Sequence, residues 1–292
     1  MVLNILLGFA VLLFFLVGFA WVISTRIITW PREIFRDEWK RYALWPERVT
    51  FAAQDGLRLA GIFLRGMNGA TVILLHGFGR SKEQLLPQAD ALHRAGFSVF
   101  MFDFRGSGES AGKYITFGGR EHHDLVGAVE YLRSRSDVNM LRIGVLGFSM
   151  GGVVAVLKSA DIPEVRALVV NSTFARFKSV IQVNMRDYFG WMPFFPIGWL
   201  VILVIRFRTG IWLTSINPIL RLGNLRQLPL MVIHGALDRK IPVEDALEYQ
   251  KKAPWLKEFW LVRHADHDDL YRVSQEQYDV KVIGFFREHL LR

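Results

Sequence analysis

The chain has 292 residues, and its composition of 51% hydrophobic and 22% charged residues excludes an intrinsically disordered protein. It contains no cysteine, which excludes a disulfide scaffold, a thiolate metal site and a cysteine nucleophile. The net charge of +9 predicts an anionic neighbour and leaves nucleic acid, a membrane surface and an acidic substrate open as that neighbour.

The N-terminal segment predicts a transmembrane anchor over residues 1–25. This segment has no charged side chain, and residues 2–23 would form a helix of roughly 33 Å, enough for a hydrocarbon core of about 30 Å. A cleaved signal peptide is the alternative, although no basic residue precedes the apolar run and Gly18-Phe19-Ala20 is a weak cleavage pattern. The positive-inside rule predicts that the rest of the chain faces the cytoplasm, because basic residues only follow the segment: Arg26, Arg32, Arg36, Lys40 and Arg41. We expect a single-pass membrane protein with residues 26–47 as a juxtamembrane segment.

After this segment, short apolar runs alternate with helical stretches, and Asp55-Gly56 predicts the turn of a first hairpin. The later apolar runs are continuous rather than alternating, which is typical of strands buried on both faces of a parallel sheet. The pattern predicts one α/β domain over residues 48–292, with a mostly parallel sheet flanked by helices. Strands are predicted over 48–53, 57–64, 71–75, 97–102, 141–146, 167–170, 230–233 and 259–262, and helices over 82–95, 120–134, 151–159 and 275–289.

The sequence Gly147-Phe148-Ser149-Met150-Gly151 follows a predicted strand and opens a predicted helix. In that context a G-x-S-x-G motif forms a sharp, strained turn that exposes the serine oxygen at the carboxyl edge of the sheet. Ser149 is therefore the candidate nucleophile. The Met150 N–H at the start of the helix is a candidate donor to the negative charge that develops on the substrate.

A serine nucleophile needs a histidine to take its proton and a carboxylate to orient that histidine. In this topology the acid and then the histidine follow later strands of the sheet. Asp238 follows the strand predicted over 230–233, and His267 follows the strand predicted over 259–262. These residues are the candidate acid and base, and His264 is the alternative base.

These motifs together resemble the α/β-hydrolase superfamily, and within it the branch of serine aminopeptidases and monoacylglycerol-lipase-like enzymes, including membrane-anchored bacterial members. The resemblance extends from about Val49 to the C-terminus and is poor over residues 172–227. It implies an esterase- or lipase-like serine hydrolase in which Phe78 supplies a second oxyanion-hole N–H beside that of Met150. The matching motifs are Leu75-His76-Gly77-Phe78-Gly79, residues 102–110, residues 147–151, His234-Gly235-Ala236-Leu237-Asp238 and Asp266-His267-Asp268-Asp269-Leu270. The chain departs from the family pattern at His264 and Asp266, where the family commonly has small residues.

Residues 174–227 are predicted to form a lid, because the resemblance places lid insertions after the strand that ends near Asn171. The uncharged run over 188–205 fits a kinked or re-entrant element better than a straight span, since it contains Gly190, Pro193, Pro196 and Gly198. A span there would put Ser149 and Asp238 on opposite sides of the bilayer, so we expect the run to stay with the domain. Aromatic and basic residues predict that the lid rests among lipid headgroups: Trp191, Phe194, Phe195, Trp199, Trp212, Arg186, Arg206 and Arg208. A helix packed in the core is the alternative.

Histidine and carboxylate side chains are concentrated over residues 264–269, where they could ligate a divalent metal. No second cluster matches them and the triad explains His267, so no metal and no cofactor are predicted. No recognition motif or concentrated basic stripe accompanies the positive charge, and nucleic acid is therefore not an expected partner. The expected partners are an acyl ester or lipid-like substrate, and membrane lipids contacted by the N-terminal helix and the lid.

The sequence thus predicts a membrane-anchored serine hydrolase that cleaves carboxylic esters of acyl or lipid-like substrates through an acyl-enzyme, with thioester and amide bonds left open. The alternative is a non-catalytic, membrane-tethered binding or scaffold protein with the same fold. Equal turnover of acyl esters by the unaltered chain and by a Ser149→Ala variant would favour this alternative.

Overall fold

A single sheet of eight strands is formed in the computed structural model, which describes residues 1–34, 38–181 and 197–292. The strand order is β1-β2-β4-β3-β5-β6-β7-β8; β2 pairs antiparallel with β1 and β4, and all other neighbours pair in parallel. The strands are β1 (Glu47–Ala52), β2 (Arg58–Leu64), β3 (Thr71–Leu75), β4 (Ser98–Phe102), β5 (Ile143–Phe148), β6 (Val165–Asn171), β7 (Leu230–Gly235) and β8 (Glu258–Val262). The predicted fold class, an α/β fold with a mostly parallel sheet, is confirmed.

Helices cover both faces of the sheet. The described α-helices are α1 (Val2–Ile28), α2 (Leu86–Arg94), α3 (His122–Arg133), α4 (Met150–Lys158), α5 (Ile197–Thr209), α6 (Val243–Lys252) and α7 (Leu270–Leu290). Residues of α3, α4 and α6 form one core cluster with Ile73 and Leu75, whereas residues of α2 and α7 form another with Val72 and Leu74. Alternate residues of β3 therefore face opposite layers, as burial on both faces requires.

The register of the parallel strands brings the candidate site residues to one edge. Gly147 pairs with Leu75, Phe148 pairs with Asn171, and Gly235 pairs with Val262. The loops that follow these strands carry the proposed oxyanion turn, nucleophile, acid and base. They converge because the carboxyl ends of parallel strands meet at the same edge of a sheet.

Several element boundaries differ from the predicted ones, among them the end of β5 and the start of α7. Strand β5 continues to Phe148 rather than ending at residue 146, so that the next residue is the elbow serine. Helix α7 begins at Leu270 rather than residue 275, and it has a non-helical residue at Ser274 that divides its first turn from the rest. Helix α6 was not predicted, since its sequence is largely polar and its buried residues are only Asp245, Ala246 and Tyr249.

The N-terminal apolar segment forms α1, which ends three residues beyond the predicted anchor of residues 1–25. Among the described residues, α1 is the one helix long and apolar enough to cross a membrane; α5 together with Leu213–Leu225 passes the same test only as a pair bent by 92°. The buried residues of α1 are Ala20, Ser24 and Ile28, spaced four apart on one side of the helix. That side packs against α5.

The predicted lid is described only in part, because residues 182–196 lie outside the described ranges. Four of the predicted lid residues lie in this undescribed range: Arg186, Trp191, Phe194 and Phe195. Arg36 of the juxtamembrane segment lies in the other undescribed range, residues 35–37. Helix α5 contains the described part of the run over 188–205, and it buries one side of its surface. The buried residues are Gly198, Val201, Ile202, Val204, Ile205 and Thr209. On the other side Trp199, Leu203 and Phe207 are 48%, 48% and 84% exposed and follow one another at four-residue spacing, so they form a single apolar stripe.

Candidate active site

Ser149 lies on a sharp turn between β5 and α4. Its backbone has φ 53° and ψ −115°, a left-handed conformation that non-glycine residues rarely adopt. The turn requires glycine on both sides: a Cβ at Gly147 would lie 2.5 Å from the backbone of Gly151, and a Cβ at Gly151 would lie 2.1 Å from the carbonyl oxygen of Leu75. The predicted strand, serine and helix arrangement is thus present, with Ser149 at the N-terminus of α4.

His267 bridges Ser149 and Asp238. Its Nε2 lies 3.1 Å from Ser149 Oγ, and its Nδ1 lies 2.7 Å from Asp238 Oδ2. The imidazole is 5% exposed and packs against Phe148, with 5.0 Å between ring centroids. His264, the alternative base, is exposed to solvent. The structure therefore brings together Ser149, His267 and Asp238 and leaves His264 outside this group.

The Asp238 carboxylate has fixed hydrogen-bond partners and a side chain shielded from solvent. Its Oδ1 accepts hydrogen bonds from the backbone N–H groups of Lys240 at 2.9 Å and Ile241 at 2.8 Å, which leaves Oδ2 for His267. His234, on β7, lies with Nε2 3.6 Å from Asp238 Oδ2 and donates from Nε2 to the carbonyl of Ile241 at 3.1 Å. Burial lowers the pKa of His234, so the imidazole next to the Asp238 carboxylate is neutral.

The two candidate oxyanion donors lie at the same cavity wall as Ser149. Within residues 1–34, 38–181 and 197–292, no acceptor takes the backbone N–H of Phe78 or Met150. Met150 is the first residue of α4, where the N–H groups have no partner inside the helix and the helix dipole favours negative charge. Both N–H groups are thus available to an incoming oxygen.

The turn that carries Phe78 is held in place by its neighbours. Gln84 Oε1 accepts the N–H of Gly77 at 2.8 Å. His76 is fully buried; its Nδ1 donates to the Gly77 carbonyl at 2.7 Å and its Nε2 accepts the N–H of Phe104 at 2.9 Å. Burial lowers the pKa of His76, and this pair of hydrogen bonds requires the neutral ring. His76 therefore ties the oxyanion turn to the loop after β4.

The three aspartates among the residues considered as metal ligands are engaged in ion pairs. Asp266 accepts the N–H groups of Arg239 and His267, and pairs with the Arg239 guanidinium. Burial would raise the pKa of Asp266, but these hydrogen bonds and the guanidinium outweigh it and lower that pKa to about 2. Asp268 pairs with Lys240, and no group of three potential ligands in the described parts of the chain is arranged to hold a metal ion. Asp266, where the family pattern is commonly small, thus holds the loop before His267.

A cavity of about 320 Å³ opens in front of Ser149 and His267. Its deeper walls are apolar and come from three parts of the chain. Phe117, Phe148 and Phe174 come from the loops and strand ends of the hydrolase domain, Val201, Ile202 and Ile205 from α5, and Ile27 and Trp30 from α1 and the segment after it. Ligand pockets of this size and apolar character are typical of small-molecule sites.

The cavity residues Arg26, Ile27, Trp30 and Glu33 were not predicted from the sequence. Hydrophobic length predicts a membrane helix and does not indicate which side of it packs against a distant domain. The small residues Ala20 and Ser24, four apart, are the signal that could have indicated close packing against another helix.

The amino-acid sequence matches a family of serine hydrolases. Residues 66–196 match the family model described as Serine aminopeptidase, S33. The protein YfhR of Escherichia coli (strain K12) is 30% identical over 233 residues, which cover 77% of this chain and 74% of YfhR. The protein Rv2307c of Mycobacterium tuberculosis (strain ATCC 25618 / H37Rv) is 29% identical over 224 residues, which cover 76% of this chain and 72% of Rv2307c.

Solved structures of esterases have the same fold as this chain. The Pyrococcus furiosus esterase Pf2001 superposes with a TM-score of 0.74 at 28% identity, covering 90% of this chain and 98% of the esterase. The esterase EaEST from Exiguobacterium antarcticum superposes with a TM-score of 0.61 at 17% identity, covering 82% of this chain and 99% of EaEST, which supports the fold alone. The chain therefore belongs to the serine aminopeptidase S33 family of the α/β-hydrolase superfamily and is an esterase-like α/β hydrolase.

Proposed function

We propose that this protein is a membrane-anchored serine hydrolase that cleaves carboxylic esters of acyl or lipid-like substrates through an acyl-enzyme. The observation that carries the proposal is the continuous contact from Ser149 Oγ to His267 (3.1 Å) and from His267 to Asp238 (2.7 Å). This geometry lets one imidazole accept the serine proton while a carboxylate holds its orientation. A non-catalytic binding protein would have no need of these contacts or of a strained serine backbone.

The reaction follows from these contacts. Ser149 Oγ attacks the ester carbonyl carbon as His267 Nε2 takes its proton, and the imidazolium that results donates from Nδ1 to Asp238. The carbonyl oxygen becomes an oxyanion, to which the Phe78 and Met150 N–H groups donate. The tetrahedral intermediate collapses, the C–O bond to the alcohol breaks, and His267 returns its proton to that alcohol. A water molecule activated by His267 then attacks the acyl-enzyme and frees Ser149 and the carboxylic acid.

The lining of the cavity favours esters over N-terminal peptides. An aminopeptidase needs a carboxylate to hold the free α-amino group of its substrate. Among the described residues, two carboxylates line this cavity, and each faces a cation: Glu33 lies 3.3 Å from Arg80, and Asp268 lies 2.5 Å from Lys240. The remaining walls are largely apolar, as an acyl chain requires. Thioesters and amides use the same attack on a carbonyl, so they enter the test below.

We propose the same division of the chain as the sequence analysis: an anchor over residues 1–25, a juxtamembrane segment over 26–47 and a hydrolase domain over 48–292 with a lid at about 174–227. Most apolar side chains of α1 from Val2 to Phe19 are exposed on this molecule, and a hydrocarbon environment would cover them. Cleavage after Ala20 would cut α1 between Ala20 and Ser24, two fully buried residues, which favours an uncleaved anchor. Basic residues follow the apolar run and none precedes it, which favours a cytoplasmic hydrolase domain.

The apolar stripe on α5 supports a second membrane contact. Trp199, Leu203 and Phe207 project from α5 on the side away from the core, and α5 packs on the last turns of α1. A stripe of this kind, close to a membrane helix, suits the boundary between headgroups and acyl chains. We propose that this stripe rests on the membrane that α1 spans.

The activity is tested with a fluorophosphonate probe and a panel of matched butyrate oxyesters, thioesters and amides. We expect a covalent adduct on Ser149, ester turnover, and loss of both in Ser149→Ala. The Ser215→Ala variant, which removes an exposed hydroxyl outside the cavity, is the control and should keep both. Absence of an adduct on folded protein, or equal turnover by Ser149→Ala, would favour the non-catalytic alternative.

The anchor is tested on the full chain expressed in bacteria. An uncleaved membrane helix predicts that the protein stays in the membrane fraction after alkaline carbonate extraction and that its intact mass includes residues 1–25. A mass that begins after Ala20 would support a signal peptide instead. Protease added to intact spheroplasts tests the side of the membrane, since a cytoplasmic domain is protected.

A further inference from the structure

We infer that the last turns of α1 form one wall of the acyl-chain site, so that the acyl chain of a membrane-lipid ester binds between α1 and α5 in front of Ser149. This inference rests on the proposed function. It makes the end of α1, directly after the anchor, part of the substrate site and the substrate a long-chain ester that comes from the bilayer. Ile27 on α1 is then a residue that determines acyl-chain specificity.

The packing of α1 on α5 is specific rather than incidental. Ala20 and Ser24 are both fully buried on the side of α1 that faces α5. Small residues four apart let two helix backbones approach closely. Arg208 of α5 then donates to Ser24 Oγ and Thr25 Oγ1 at 2.7 Å each, and its guanidinium lies 4.5 Å from the ring centroid of Trp21. These contacts fix the position of the last turns of α1 relative to the hydrolase domain.

The end of α1 that α5 holds in place also lines the cavity. Ile27 lines it from α1, and Val201, Ile202 and Ile205 line it from α5. Ser149 lines the same cavity. An acyl chain attached to the ester carbonyl at Ser149 therefore meets apolar side chains of both helices. A longer chain contacts more of these side chains, so we expect chain length to influence binding.

The residues at the end of α1 would place the cavity at the membrane depth of a lipid ester. The cavity is lined by Arg26 and Trp30, at the end of α1 where the apolar sequence stops. Basic and tryptophan residues at such positions mark the boundary between hydrocarbon and headgroups. The ester bonds of a glycerolipid lie at that boundary and its acyl chains extend into the hydrocarbon. A lipid can therefore place its ester at Ser149 while its chain remains beside α1.

The test narrows the proposed site with a larger side chain on α1. Full-length protein in lipid nanodiscs is assayed with p-nitrophenyl butyrate, octanoate, laurate and palmitate. We expect the unaltered chain to prefer the long esters. In the Ile27→Trp variant, the ratio of kcat/KM for laurate and palmitate to kcat/KM for butyrate should fall about tenfold or more, because a pocket that excludes methylenes discriminates by about that factor. Val22→Trp is the matched control, since Val22 is 54% exposed on the same helix, and it should keep the unaltered profile.

A second pair of variants tests the wall of the cavity that α5 forms. Val201→Phe, which adds volume at a buried cavity position of α5, should shift the preference toward short esters, whereas Leu203→Phe, at a 48% exposed position, should not. Fluorophosphonate labelling and the thermal unfolding midpoint are measured on every variant to separate a filled site from a misfolded one. The inference is overturned if labelled, folded Ile27→Trp and Val201→Phe both keep the unaltered chain-length profile, or if the unaltered protein turns over only butyrate. Failure of the proposed function is a different result: no labelling and no Ser149-dependent turnover of any ester.

Discussion

The indole ring of Trp30 packs edge to face on the ring of Phe78, with 5.6 Å between the ring centroids. Trp30 follows the end of α1 by two residues, and Phe78 carries one of the two N–H groups proposed for the oxyanion hole. Phe78 also stacks on Phe117, with 4.5 Å between centroids and 8° between the ring planes. The ring of Trp30 further covers Gly79, where a Cβ would lie only 2.8 Å away. The segment that leaves the N-terminal helix is therefore in direct contact with the oxyanion turn.

Replacing Trp30 with alanine removes this contact and should loosen the turn. An aromatic pair of this geometry contributes about 1 kcal/mol beyond the area that it buries. If that contribution holds the Phe78 N–H in place for the transition state, kcat for butyrate ester falls about fivefold with little change in KM. Trp45→Ala is the control, because Trp45 is 81% exposed and should leave kcat unchanged. Equal kcat values for the two variants would contradict a role for Trp30 at the turn.

The two histidines of the loop after β8 should differ sharply in their effect on activity. His267→Ala removes the group that lies 3.1 Å from Ser149 Oγ, so we expect kcat to fall by about 10⁴-fold or more, as for other residues of a catalytic triad. His264→Ala removes an exposed side chain outside the triad and should keep activity within a factor of about two. Steady-state kinetics with butyrate ester measures both. A large loss in His264→Ala instead would assign the base to His264.

The buried histidines His76 and His234 should make the protein less stable in mild acid. Burial lowers the pKa of both rings in the folded state, whereas in the unfolded chain they take up protons as the pH falls through about 6.5. The unfolded state then binds more protons, so the free energy of unfolding decreases by up to about 1.4 kcal/mol per pH unit for each histidine. Stability is therefore greatest above about pH 7 and declines toward about pH 5.

Thermal unfolding midpoints measured between about pH 8 and about pH 5 check this expectation. His76→Gln should lower the midpoint at neutral pH, because the bonds to Gly77 and Phe104 are lost or weakened. It should also reduce the slope of the midpoint against pH, since one of the two buried protonation sites is gone. A midpoint that does not change with pH in the unaltered protein would contradict the neutral, buried state of these rings.

The small residues of α1 should be required for its docking on α5. Ala20→Leu places a larger side chain at a fully buried position, and overpacking of this kind costs about 1 to 3 kcal/mol. We expect a lower thermal midpoint in detergent and a higher KM for laurate ester, because α1 moves away from the acyl site. Gly18→Leu is the matched control, since a Cβ at Gly18 meets nothing within 4 Å. If Ala20→Leu behaves like Gly18→Leu, docking of α1 does not depend on this face.

Much of the hydrolase domain and of the candidate triad could be predicted from the sequence. Continuous apolar runs determine strands that must be buried on both faces, and the alternation with helical stretches then determines a parallel α/β sheet. Because the carboxyl ends of parallel strands meet at one edge, the positions of Ser149, Asp238 and His267 after their strands were enough to predict that they come together. Gly147 and Gly151 also indicated the sharp turn at Ser149, because no side chain fits at those two positions.

Only the tertiary structure decided what the N-terminal helix does beyond its length and hydropathy. The hydropathy of residues 1–25 is compatible with an isolated anchor, and the contacts of Ile27 and Trp30 with the cavity depend on how α1 packs against α5. Likewise, the sequence left His264 and His267 both open as the base, since they are three residues apart in one loop. The choice between them depended on the backbone of that loop, where Asp266 accepts the N–H of His267 and pairs with Arg239. Such long-range contacts join residues far apart in the chain, and local pattern does not contain them.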